Sequence, residues 1–250
     1  MCRSGVLGRI TAMVGAVKLT GRRALIAVGA AVLLVAAGAA VALAVGVPSA
    51  PESHTASLPT DGRSSATLDV VTGTRQLDIK VGNLGGTLLK ATTPAGAPAP
   101  NLRLASGDVQ LSARSGTSAV TVTLNEKVRW QLDFGGGTER TVADLRGGSV
   151  SGVSFTAGSD IIDLTLPQPR GMVPVLLAGG ASQFLVSLPG GVPVRVTAAG
   201  GAGKVSVDGA TYTGVGGGAV FATSGWAARS AGFDVDATAG AAVLSVARWS

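Results

Sequence analysis

Cysteine, histidine and tyrosine each occur once in this chain, and aromatic residues make up only 4% of it. Each shortage removes a class of chemistry. The single cysteine is Cys2, so no disulfide framework can staple the fold, and packing and hydrogen bonds must hold it. Residue His54 is the single histidine, and it lies in a stretch rich in Pro, Ser and Thr. A Ser-His-Asp triad inside a folded domain and a Cys/His zinc site are both excluded by composition. Charged residues are scarce too, at 14%. Only carboxylate chemistry is left.

The formal charge of +6 invites a nucleic-acid reading, and its distribution removes it. Residues 1–47 hold Arg3, Arg9, Lys18, Arg22 and Arg23 and no acid, leaving 15 basic against 14 acidic groups in the rest. Nucleic-acid binding needs clustered basic surface that displaces counterions, and beyond the first segment there is none. The run Ala24 to Val47, "ALIAVGAAVLLVAAGAAVALAVGV", has no charge. As a helix it would rise about 36 Å, enough to cross a hydrocarbon core of about 30 Å. Arg22 and Arg23 precede it, which by the positive-inside rule keeps a basic tail (1–23) in the cytoplasm and exports residues 48–250. The expectation is a single-pass protein held in the lipid bilayer by residues 24–47, with an extracytoplasmic domain. The alternative is secretion after signal-peptide cleavage, since "ALA" ending at Ala44 and "PSA" ending at Ala50 have the small residues of processing sites, and "TGRRALIAV" holds an arginine pair. The apolar run exceeds the usual signal core of about 7 to 15 residues, which favours the anchor.

What the chain has in abundance is glycine, 38 residues of it, set among alternating apolar positions. Residues 48–65, "PSAPESHTASLPTDGRSS", show no period and read as a flexible stalk. From 66 to 250 nearly every segment alternates at period two: Leu77, Ile79 and Val81; Val120, Val122 and Leu124; Val128, Trp130, Leu132 and Phe134; Phe184, Val186 and Leu188; Val192, Val194 and Val196. Each run is short and ends in Gly, Pro, Asn or Asp, so the expected class is all-β. "TTPAGAPAP", from Thr92, reads as a long loop or as a boundary that sets residues 66–120 apart.

The glycines also repeat. "LPQPRGMVPVLLAGGASQFLVS" from Leu166 aligns with "LPGGVPVRVTAAGGAGKVSVDG" from Leu188: Leu-Pro, an alternating strand, Gly-Gly-Ala, and a second strand. Two strands and two tight turns per repeat suit one coil of a β-solenoid-like domain whose neighbours stack over a shared core. "LDFGGGTERTVADLRGGSVSGVSF" is a looser third copy. Within the second copy, "GGAGKVS" superficially matches a phosphate-binding loop. The motif's first glycine is replaced by Ala198 and its hydroxyl residue by Val205, and the stretch after Lys204 alternates as a strand does; nucleotide binding is excluded. Gly200, Gly201 and Gly203 are then corner residues, at least one of them with positive φ.

The closest acidic pairs are Asp160 with Asp163 and Asp234 with Asp236. The second pair would share one face of a strand, either around a calcium ion or simply as the solvent side of "FDVDA" opposite Phe233 and Val235. Alternation favours the latter. Trp130, among Leu132 and Phe134, reads as core rather than as a sugar platform. No residue stands out as catalytic, as a metal ligand or as a cofactor contact, and none of those groups is expected.

The stretch "WQLDFGGGTERTVADL", the Leu-Pro, Gly-Gly-Ala and Val-Asp-Gly pattern and "GFDVDATAG" together resemble the glycine-rich β domains called toast-rack and putative-adhesin domains in bacterial cell-envelope proteins, among them envelope-stress regulators of the LiaF kind. The resemblance spans roughly residues 120–250. It implies a non-enzymatic domain that binds or scaffolds another envelope protein or a cell-wall polymer. An accessory sensor of an envelope-stress signalling system is the alternative it implies. A carboxylate-dependent enzyme acting on glycans is the third reading, and it lacks a visible constellation of acids.

Overall fold

The structure, a computed structural model, describes residues 53–250 apart from 229. The expected basic tail and membrane helix at 1–47 lie outside the described residues. Among those described, no helix is long and apolar enough to cross a membrane, and all regular structure is strand. The chain begins with β1 (His54–Pro59), β2 (Ser65–Val70), β3 (Thr74–Gly82), β4 (Thr87–Thr93), β5 (Asn101–Ala105), β6 (Asp108–Ser112) and β7 (Ala119–Asn125). The middle holds β8 (Arg129–Phe134), β9 (Thr138–Asp144), β10 (Ser149–Phe155), β11 (Ser159–Thr165), β12 (Met172–Leu177) and β13 (Ala181–Pro189). It closes with β14 (Val194–Ala198), β15 (Ala202–Val207), β16 (Ala210–Val215), β17 (Ala219–Ala222), β18 (Gly232–Ala237) and β19 (Ala241–Trp249).

These strands form two sheets. One has the order β1-β4-β7-β3-β9-β11-β13-β19-β15-β16, the other β17-β14-β18-β12-β10-β8-β2-β6-β5. The chain crosses between the sheets at each of β2 to β3, β6 to β7, β8 to β9, β10 to β11, β12 to β13, β14 to β15 and β18 to β19, and these two-strand units stack in parallel in the order β6/β7, β2/β3, β8/β9, β10/β11, β12/β13, β18/β19, β14/β15. Alternation explains why. In β8, Trp130, Leu132 and Phe134 are buried while Gln131 and Asp133 face out, and every unit adds such a row to one shared core. Phe134 of β8 stacks on Phe155 of β10 at 4.4 Å, and Phe155 meets Phe184 of β13, in the opposite sheet, edge-on at 6.0 Å. Burying one such side chain stabilises the fold by about 1.5–3 kcal/mol.

The corners account for the glycine. Neighbouring strands lie only about 4.8 Å apart, so a turn whose side chain points along the stack meets the next turn. A Cβ added at Gly179 would lie 2.1 Å from the carbonyl of Ala157. At the next repeat Gly201 has φ +78, as the sequence led one to expect of this corner.

Three expectations need correction. The supposed stalk holds β1, which pairs antiparallel with β4 from His54↔Thr93 onward. Its ladder of backbone hydrogen bonds covers a sheet edge, a non-local reason that a weakly alternating segment does not display. Of the two readings of "TTPAGAPAP", the loop holds at residues 94–100 and the boundary does not, since β2 pairs with β8 and β3 with β9. Finally, the two aligned repeats are not neighbours: β18 and β19 insert between them, β18 pairing with both β12 and β14. The cause lies in the intervening β16 and β17, which run antiparallel to β15 and β14 and occupy their outer flanks. The last two strands can then enter only on the inner side.

Candidate interaction site at one end of the sheets

The acids singled out in the sequence do not converge. Asp160 is exposed at the start of β11, and Asp163 faces outward between Val142 and Leu185 on the adjoining strands. Asp234 and Asp236 sit on the outer side of β18, opposite the fully buried Phe233 and Val235, as alternation predicts. Among the described residues no group of three His, Cys, Asp or Glu is placed to hold a metal ion. His54 is exposed in β1, and Trp130 is buried with its indole N–H donating to the Asn125 carbonyl at 3.1 Å. The Gly-rich "GGAGKVS" is a turn followed by β15, with Lys204 exposed and Val205 buried.

A different set of residues gathers at the β14, β17 and β18 end. Val194 and Val196 point into the core, which turns Arg195 outward. The cross-strand register places it opposite Asp234, and its Nε donates to Asp234 Oδ1 at 2.9 Å while its Nη2 donates to Oδ2. Its guanidinium carbon lies 4.3 Å from the ring centre of Trp226, in the loop after β17. The hydrogen bond to Asp234 raises the Arg195 pKa against the opposing effect of desolvation, and the charges of Asp234 and Asp236 add smaller attractions. The planar cation is thus held between an indole face and a carboxylate, an arrangement suited to guanidinium. Among the described residues, Asp236 Oδ1 and Trp226 Nε1, one acceptor and one donor, are shielded from solvent without a hydrogen-bond partner. Leaving such an atom unpaired costs about 1–3 kcal/mol.

Beside this patch lie the outermost strands of both sheets. Tyr212 of β16 pairs with the buried Val205, and Phe221 of β17 with the buried Val196, so both rings point between the sheets and meet at 4.7 Å. Among the described residues no strand lies beyond them: Tyr212 is 46% exposed and neighbouring Val220 57%. A cavity of about 350 Å³ opens here, lined by Val207, Ala210, Tyr212, Val220 and Phe221. No charged residue occurs from Gly209 to Ala228. That charge gap, carrying aromatics in a chain poor in them, is the signal that sequence reasoning passed over.

Comparison with known proteins places the fold. No protein-family model and no curated protein matches the chain. Among solved structures, a putative cell adhesion protein from Clostridium sporogenes ATCC 15579 is similar at 16% identity and a TM-score of 0.56, over 80% of this chain and 100% of that one. A putative adhesin from Bacteroides fragilis NCTC 9343 aligns over 81% of this chain and 99% of its own, at 7% identity and a TM-score of 0.27. What this chain shares with the Clostridium protein is the fold.

Proposed function

We propose that the chain is a membrane-anchored, extracytoplasmic envelope protein whose repetitive β domain, read as a β-solenoid, is a non-enzymatic binding or scaffolding surface. Its partner is another envelope protein or a cell-wall polymer. The observation that carries this reading is the outward patch of Arg195, Asp234 and Asp236 on adjoining strands, with Trp226 of the loop after β17 packed on the guanidinium. A flat indole and guanidinium beside carboxylates offers stacking and hydrogen bonds, the means by which surfaces recognise polar, hydroxyl-bearing partners. The name of the Clostridium protein, a putative cell adhesion protein, agrees with this class. The anchor rests on the charge step across residues 24–47.

Two measurements test the reading. Protease added to intact cells or spheroplasts should remove a C-terminal tag; full protection of the tag would overturn the topology. Crosslinking in intact cells followed by capture of the full chain should bring down an envelope partner, and Trp226→Ala should reduce that capture severalfold. Equal capture by wild type and variant would remove the patch from the function.

A further inference from the structure

The geometry points to a second site, independent of the Arg195 patch: the β16/β17 end is the contact through which two copies of this chain join, end to end, about a twofold axis. Among the described residues both strands have a neighbour on one side only, so each presents a free row of backbone donors and acceptors. Proteins normally guard such edges with charges or proline. Here the edge carries neither, since Gly209 to Ala228 contains no charged residue and no proline.

The occupant is set by the pattern of the strands. Thr211-Tyr212-Thr213 reads the same in both directions. An antiparallel edge paired with its own copy keeps inward residues opposite inward ones, which sets Thr211 against Thr213 of the second copy and Tyr212 against Tyr212 in β16, and Phe221 against Phe221 and Val220 against Ala222 in β17. Both centres must lie on one axis for this to work, and they do: the Tyr212 and Phe221 rings are 4.7 Å apart across the gap between the sheets. A twofold axis normal to the sheets therefore pairs β16 with β16 and β17 with β17 together, and it covers Tyr212 and the cavity beside it. Such a contact is isologous and closes as a dimer. The opposite end is less suited to pairing with this one. Its edge strand β1 ends in Pro59, and its other edge strand β5 carries Arg103.

Single cysteines in the full chain carrying Cys2→Ser decide the matter, because Thr211 and Thr213 are exposed and their replacement leaves the core intact. Copies bearing Thr211→Cys and differently tagged copies bearing Thr213→Cys, coexpressed and mildly oxidised in membranes, should form a mixed disulfide severalfold more than either variant forms with itself. Equal linking of each variant with itself would overturn the twofold register. Linking of Thr211→Cys only to Ser57→Cys copies would show a head-to-tail contact and overturn the proposal, as would no linking at all.

Discussion

Two pairs of aromatic rings make similar contacts in this protein with different consequences. Phe134 and Phe155 stack at 4.4 Å in the middle of the sheets, closed above by Phe184; Tyr212 and Phe221 meet at 4.7 Å at the end, with no strand beyond them among the described residues. The inner pair is at most 3% exposed, whereas Tyr212 is 46% exposed. Ring geometry alone therefore does not assign a role. The inner contact sustains the fold, and the outer one is available to a partner.

The largest effect should come from the inner pair. Phe155→Ala removes a side chain touching rings on two sides and should cost about 3–5 kcal/mol, read by denaturant or thermal melts of the full chain; a smaller loss than that of Phe221→Ala would contradict the contrast between the two pairs. Gly201→Val is next. It places a β-branched residue at φ +78, with its Cβ 3.1 Å from the Val215 carbonyl, and should cost about 1–3 kcal/mol. Lys204→Ala, three residues on and exposed, should change stability by less than about 0.5 kcal/mol, and added ATP should leave both melts where they are. Phe221→Ala should cost roughly 1–2 kcal/mol, less than a fully enclosed ring, while lowering the dimer fraction in crosslinking; full retention of dimer would uncouple the end layer from association.

The smallest effect is electrostatic. The side-chain hydrogen bond from Arg146 holds the Asp144 carboxyl below its ordinary value, against a smaller desolvation effect that raises it. A lowered folded pKa means that the stabilisation is present at neutral pH and is lost as pH falls below about 4, through the folded value. The pair is largely solvent-exposed, so screening keeps it under about 0.5 kcal/mol. Asp144→Asn should flatten the acid limb of a stability profile by no more than that, and a larger change would point to a further partner for Asp144.

The ends also differ from the middle in how readable they were. Inner strands such as β8 and β13 announced themselves by strict alternation, and the Gly-Gly-Ala corners by repetition. The closing strands did not. β16 alternates Thr with Tyr and Gly, and all but its last residue are exposed, so no apolar period marks it. Its turn was nevertheless visible: Asp208 and Gly209 both have positive φ, the two-residue hairpin connection that Asp-Gly favours. Ser106-Gly107 does the same between β5 and β6 at the other end. Each hairpin reverses the parallel order and caps one end of a sheet. The Arg195 patch was unreadable for a related reason, since Arg195 and Asp234 are 39 residues apart and only the insertion of β18 beside β14 makes them neighbours.

By itself the sequence determined what is local: period two makes strands, glycine admits the close corners and positive φ, and the rarity of Cys and His removes whole chemistries. Tertiary structure alone decided which strand lies beside which. Hydrogen-bond ladders between strands are largely indifferent to side-chain identity. The choice was made by topology, because β16 and β17 flank β15 and β14 on the outside and leave the inner position to the final strands. That order brought Arg195 to Asp234, set the tilted rings of Tyr212 and Phe221 in contact, and left them at the end of the described strands.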